Sequence, residues 1–217
     1  MPDFSRERDA MVDSQIHTAD VTDRRLLKAL RTLPRHKFMP KSKAAIAYAD
    51  CEVEAAAGRW MLRPRDLGLL IHAAHVQPDE LVLNIASGRG YAAAVLSRMA
   101  ETVVCVEADA TLVKKSSDAL ADAGCDNTAV LEGDPLKGAP GQGPYDVIFV
   151  EGAVEETPRV WFDQLKDGGR LAVIVRRGSI GKAMIYTRSG DSIGQRVVFD
   201  STPRIIPGFE KDAGFVF

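Results

Sequence analysis

Val82-Leu83-Asn84-Ile85-Ala86-Ser87-Gly88-Arg89-Gly90-Tyr91 is the stretch that decides the fold. An apolar run gives way to a turn of small residues, and Tyr91-Ala92-Ala93-Ala94-Val95-Leu96 then starts a helix. A second apolar run, Val103-Val104-Cys105-Val106, ends in an acid, Glu107. Strand, glycine turn, helix, strand, acid is the order of a nucleotide-cofactor half-fold. The glycines let the backbone approach a ligand, and the acid can take two ribose hydroxyls. Asn84 and Ala86 are the two positions where this stretch departs from that pattern.

Outward from this stretch, strands are predicted at 81–86, 103–107, 128–131, 145–150 and 170–175, and helices at 91–100, 110–123 and 156–165. Strands that alternate with helical crossovers run parallel, so the fold class is α/β, a doubly wound open sheet with helices on both faces. Met184-Ile185-Tyr186-Thr187, a Gly190-Asp191 turn and Arg196-Val197-Val198-Phe199 form a hairpin signal, which adds an antiparallel C-terminal edge. Upstream, Met11, Val12 and Ile16 make one apolar stripe. Leu26, Leu27, Leu30 and Leu33 make another, which Thr22 can cap and Pro34 ends. A short helix is expected at 44–48 and a buried one at 66–75. Residues 51–64 show no period and read as loop or edge structure, and Lys137–Pro144 reads as a loop.

The chain has 217 residues, enough for one domain with a substantial core. We divide it into an N-terminal helical, substrate-side extension (1–75) and a cofactor-binding core (76–217). A net charge of −2 gives no field that favours nucleic acid or an anionic membrane. The first residues carry charges and no apolar stretch of a secretory signal, and no apolar run nears the roughly 18 residues of a membrane span. Cys51, Cys105 and Cys125 are odd in number and widely spaced, which fits reduced thiols and a cytoplasmic protein. His72 and His75 are three apart on a helix, but no acid or cysteine completes a metal set, so no metal is expected.

Two cofactors compete for the glycine turn. As Gly88-x-Gly90-x-x-Ala93 it is a dinucleotide fingerprint; as Ala86-x-Gly88-x-Gly90 it is a worn form of the turn that holds S-adenosylmethionine. Successive strand ends favour the methyl donor. Glu107 follows the second strand, Gly133-Asp134 follows the third, where a carboxylate can accept from an adenine amino group, and Glu151-Gly152-Ala153 follows the fourth. The expected cofactor residues are Ser87, Gly88, Gly90, Glu107, Gly133, Asp134 and Glu151, with Ala86 and Ala108 contributing backbone.

Flanking segments sharpen this. Met11-Val12-x-x-Gln15-Ile16, Val21-x-Asp23-x-Arg25-Leu26-Leu27, Leu33-Pro34-Arg35-His36-Lys37-Phe38-Met39-Pro40, Ala47-Tyr48-x-Asp50 and Arg204-Ile205-Ile206-Pro207-Gly208 accompany the core. With them the chain resembles the protein-L-isoaspartate O-methyltransferases over nearly its whole length. The resemblance implies a seven-stranded, Rossmann-like methyltransferase sheet with N-terminal helices. It implies methyl transfer from S-adenosylmethionine to the isoaspartyl carboxylate of a damaged protein or peptide.

The chain departs from the family on the substrate side. The family's G-x-T-I-S-Q-P reads Gly58-Arg59-Trp60-Met61-Leu62-Arg63-Pro64, so Leu62 stands at the catalytic-segment serine and Trp60 and Arg63 flank it. Arg89 stands at a turn serine and Asn84 at the strand-end acid. Arg63 and Arg65 can draw an anionic substrate or lie solvated at a helix start. Arg89 can pair with the cofactor's carboxylate or fill its pocket. Glu151, on a strand expected beside that of Ile85, can supply the charge missing at Asn84. The second functional hypothesis is a binding module without turnover, using a Trp60-Met61-Leu62 surface; a third is a nicotinamide-dependent oxidoreductase. The oligomeric state is not encoded in any pattern here.

Overall fold

The computed structural model describes residues 3–211. A hairpin of β1 (Val53–Ala56) and β2 (Arg59–Met61) stands apart from a seven-stranded sheet. That sheet contains β3 (Leu81–Ile85), β4 (Thr102–Glu107), β5 (Thr128–Glu132), β6 (Tyr145–Val154), β7 (Leu165–Arg177), β8 (Ile180–Ser189) and β9 (Ser192–Asp200). The order across it is β5-β4-β3-β6-β7-β8-β9, parallel through β7 and antiparallel at β8 and β9. The chain lays β3, β4 and β5 toward one edge, then returns to β6 on the other side of β3. The order therefore reverses between β3 and β6, and ligands of open α/β sheets bind beyond the carboxyl ends at such a point.

The central strands read as unbroken apolar runs because helices cover both faces. Every residue of β3 from Val82 to Ile85 and of β4 from Val103 to Glu107 is buried. α4 (Tyr91–Ser97) is buried along its whole length, so its small Ala92-Ala93-Ala94 run lets it lie close to the sheet. α5 (Ala110–Asp122) is capped by Asp109, whose carboxylate accepts the Thr111 and Leu112 amides at 2.7 and 3.3 Å. α6 is confined to Arg159–Asp163, shorter than the predicted 156–165.

The N-terminal layer packs on one face of this sheet. α1 (Ser5–Met11) widens into a π-helical turn over Val12–Ile16, and Met11, Val12 and Ile16 are buried as the stripe predicted. α2 (Arg24–Thr32) is capped by Asp23 rather than Thr22, because the Asp23 carboxylate reaches the amides of Arg25 and Leu26. Pro34 holds Leu33 extended and stops that helix. The helix expected at 44–48 is instead a 3-10 segment, Lys41–Ile46. α3 (Pro64–Ala74) matches the expected buried helix, and among the described residues no helix is long and apolar enough to cross a membrane.

Two irregularities shape the carboxyl edge. Lys166–Gly169 form a bulge inside β7: Tyr145 pairs with Leu165, and Val147 already pairs with Arg170. In β6, Phe149 pairs with Ala172, but the next partners are Ala153 and Ile174, so Val150–Gly152 bulge out of the ladder. The C-terminal segment fills in beside that bulge. Ala153 donates to the Arg204 carbonyl at 3.2 Å and accepts from the Ile206 amide at 2.9 Å.

Candidate active site

The glycine turn is built by its backbone angles. Ala86, Gly88 and Gly90 have φ of 57°, 55° and 89°, all left-handed. The amides of Ala86 and Ser87 both donate to the Val106 carbonyl, at 3.0 and 3.4 Å, which ties the turn to the tip of β4. Ala86 thus holds an alanine where glycine is the unstrained residue, at a cost of about 1 kcal/mol. Gly90 is favoured by its φ and by packing: a Cβ there would lie 3.2 Å from Ser116 Cβ and 3.3 Å from Leu120 Cγ, so α5 would have to give way by a few tenths of an ångström.

Glu107 ends β4 inside this turn, with its side chain only 2% exposed. Its Oε1 accepts from the amides of Ala108 at 2.9 Å and Asp109 at 3.4 Å. Its Oε2 accepts from the Gly88 amide at 2.9 Å and from Arg59 Nη2 at 2.5 Å. The amides fix the carboxylate where the sequence placed it. Arg59, at the start of β2, pairs with it from the other side of the cleft.

Ile85 pairs with Val150 and Asn84 with Phe149, so the tips of β3 and β6 are neighbours. Asn84 Nδ2 donates to the Phe149 carbonyl at 3.3 Å, and its Oδ1 is buried without a partner among the described residues. The same holds for Ser87 Oγ and Glu151 Oε2. Glu151 lies in the β6 bulge, and burial pushes its carboxyl up to about 8. The Arg35 and Arg59 guanidiniums pull it back, and Glu107 pushes it further up. Gly152 lets the bulge form at φ 145°, where a Cβ would meet Ile206 Cγ1 at 2.6 Å.

The cleft between these pieces is lined by Ala86, Gly88, Arg89, Glu151 and Gly152 from the core, by Ala55 and Gly58–Met61 from the hairpin, and by Arg204–Pro207 from the tail. Its free space is about 20 Å³ at water centres, which suffices for little more than one water. Arg89 Nη1 reaches the Ala55 carbonyl at 3.4 Å, and burial lowers its pKa. The Arg204 guanidinium lies 4.1 Å from the centre of the Trp60 ring.

The expected site residues divide on this geometry. Ala86, Gly88, Trp60 and Glu151 line the cleft, Glu107 bonds to its turn, and Ala108 contributes an amide. Gly133 donates to the Glu107 carbonyl at 3.0 Å, and Asp134 is exposed beyond it, accepting the Leu136 amide at 3.0 Å. Leu62 is buried in the core, and its carbonyl accepts from Arg35 Nη2 at 2.7 Å; its side chain is not among the lining groups. Arg63 and Arg65 both pair with buried Asp66, at 2.8 and 3.2 Å, away from the cleft. The apolar surface expected across Trp60-Met61-Leu62 does not form, because Met61 and Leu62 are 3% and 1% exposed. Three residues not singled out from sequence belong here: Arg59, Arg204 and Arg35, a fully buried guanidinium 4.8 Å from the Tyr91 ring centre. No local pattern marked Arg59, whose partner lies 48 positions away.

The donor set fits S-adenosylmethionine in kind. An acid stands at the second strand tip of the cofactor half, and unpaired buried oxygens stand at the turn and at the fourth strand tip. In space, the cleft with Arg59 on Glu107 is smaller than that donor. The protein-family model for protein-L-isoaspartate(D-aspartate) O-methyltransferase matches residues 6–202. The chain is 34% identical to the protein-L-isoaspartate O-methyltransferase of Opitutus terrae, over 79% of this chain and 73% of that protein. It is 36% identical to that of Methanoculleus marisnigri, over 78% and 77%. A solved protein-L-isoaspartate O-methyltransferase superposes with a TM-score of 0.79 at 26% identity, covering 93% of this chain and 66% of that one. A Plasmodium falciparum candidate of the same name, solved in complex with S-adenosyl-L-homocysteine, gives 0.78 at 17% identity over 92% of this chain, which shows the shared fold. The chain belongs to the protein-L-isoaspartate(D-aspartate) O-methyltransferase family.

Proposed function

We infer that the chain is an S-adenosylmethionine-dependent carboxyl O-methyltransferase acting on proteins or peptides, with the isoaspartyl carboxylate named by its relatives as the acceptor. One observation carries the reading: buried Glu107, fixed by the Gly88 amide at 2.9 Å beside the point where the strand order reverses. When bound, the donor supplies an electrophilic methyl group on a sulfonium. An acceptor carboxylate with a pKa of about 4 is already ionised at neutral pH, so no general base is assigned. What remains for the chain is to align the two groups and exclude water.

Glu107 would hold the ribose diol and Asp134, after Gly133, the adenine edge. Ser87 and Glu151 would hold the amino-acid end, with Gly90 fixing the turn and Ala86 and Ala108 contributing backbone. Glu151 supplies the carboxylate that Asn84 removes, and a cation beside it would draw off the proton that burial retains. Trp60 forms a wall on the substrate side, stacked with Arg204. Leu62 lacks the hydroxyl of the family's serine, and Arg63 is engaged by Asp66, so the acceptor carboxylate falls to the arginines of the mouth. We take residues 1–217 as one cytoplasmic domain whose first 75 residues form the substrate side.

Thermal melting with S-adenosylmethionine, S-adenosylhomocysteine and NAD tests the reading, because a ligand that binds only the folded state raises the midpoint. The two adenosyl compounds are expected to raise it and NAD to leave it unchanged. Methyl-ester formation on an isoaspartyl peptide is the expected activity. No response to either adenosyl compound would overturn the methyl-donor reading.

A further inference from the structure

A carboxylate offers about four acceptor positions, and Glu107 has all of them filled. Three are taken by backbone amides of the two loops that hold it, Gly88, Ala108 and Asp109. These cannot leave without dismantling the turn. The fourth is taken by Arg59, which comes from the separate hairpin and is the one partner able to withdraw. The Arg59 side chain is 14% exposed, and the hairpin rests on the cleft through the Arg89–Ala55 contact and the Trp60–Arg204 stack. A guanidinium this buried is costly without an anion. Once a ribose hydroxyl takes the place of Arg59 on Glu107, the remaining carboxylate of the cleft is Glu151, which the cationic end of the donor also requires. Arg59 then needs an anion from outside, and Arg89 and Arg204 already make the mouth cationic.

We propose that Arg59 couples the two ligands of this cleft: it holds Glu107 until a ribose hydroxyl of the donor takes the acceptor position it fills, and then pairs with the carboxylate of the peptide substrate. The inference rests on the methyl-donor reading above. Its consequence is reciprocal, since donor and anionic peptide each bind more tightly when the other is present.

Isothermal titration of S-adenosylhomocysteine into wild type and Arg59→Gln, each with and without an isoaspartyl peptide, tests it. Without peptide, the variant is expected to bind at least about tenfold more tightly, the scale of one charge-assisted hydrogen bond released from competition. Peptide is expected to tighten binding by wild type and to leave binding by the variant unchanged. Arg59→Lys, which keeps the charge, falls between the two, carries the comparison if the glutamine variant does not fold, and melting curves report the folding of both. Binding by folded Arg59→Gln that is no tighter than wild type overturns the coupling, as does a peptide effect of equal size in both proteins. If no protein binds S-adenosylhomocysteine with or without peptide, the methyl-donor reading itself falls, which is a separate and recognisable failure.

Discussion

Glu151 is the residue whose protonation the fold controls most directly. Its carboxyl is raised from 4.5 to about 8, with burial as the first cause. Between those values the folded chain keeps a proton that the unfolded chain gives up. Unfolding then releases a proton, so Glu151's contribution to stability is greatest below about pH 4.5 and is lost as pH rises toward about 8. Glu151→Gln, which imitates the protonated acid, is expected to remove that part of the slope. Melting midpoints of both proteins from about pH 5 to pH 8 check this; parallel curves would contradict it. At this scale the sequence was uneven. Glu107 and Glu151 were legible because each closes an apolar strand. The conformation of Ala86 was not, since an alanine is compatible with either sign of φ until its turn is seen. Leu62 was legible as a substitution of the family's serine and not as a core residue. Arg59 was hidden because what it does depends on a carboxylate 48 positions away.

Among the elements, the β6 bulge does most to shape the site. It interrupts the pairing with β7 and turns Glu151 toward the cleft, as bulges do where a strand must re-aim a side chain. It also receives the tail, through the Ala153 hydrogen bonds. Gly152→Ala is expected to cost about 2–3 kcal/mol, because its Cβ would meet Ile206 at 2.6 Å and its φ is 145°. Urea unfolding measures this; a loss within about 0.5 kcal/mol, ordinary for a surface substitution, would show that the tail yields freely. The bulge could not be read from Val147–Val154, because Glu151-Gly152 has the pattern of a strand end at Val150 and not of an interruption inside a longer strand. The hairpin was equally obscure. β1 and β2 have four and three residues, too few for a period to register, and β1 alternates only as buried Val53 and Ala55 against part-buried neighbours.

Across the whole molecule, the N-terminal layer is tied to the sheet by Arg170 of β7. Its guanidinium pairs with both oxygens of Glu80 at 2.7 and 2.9 Å and reaches the carbonyls of Ala74 and His75, each at 2.9 Å. Arg170→Ala is expected to cost about 2 kcal/mol, mainly by leaving those groups without their donor, and a drop in melting midpoint reads it out. The doubly wound sheet and its antiparallel edge were legible because strand and helix periods alternate cleanly from residue 81 onward. The layer's packing was legible only as stripes, since contacts such as Arg170–Glu80 join residues 90 apart. The cleft is assembled from four well-separated stretches, around residues 55–61, 86–89, 151–152 and 204–207. Its last wall, Arg204–Pro207, follows β9 in the chain. A nascent chain can therefore complete all seven strands of its sheet while still lacking a ligand site. Proteolytic trimming near residue 203 would remove the Ile206–Ala153 pairing and open the cleft while sparing the strands, so an intact sheet can carry either a walled or an unwalled cleft.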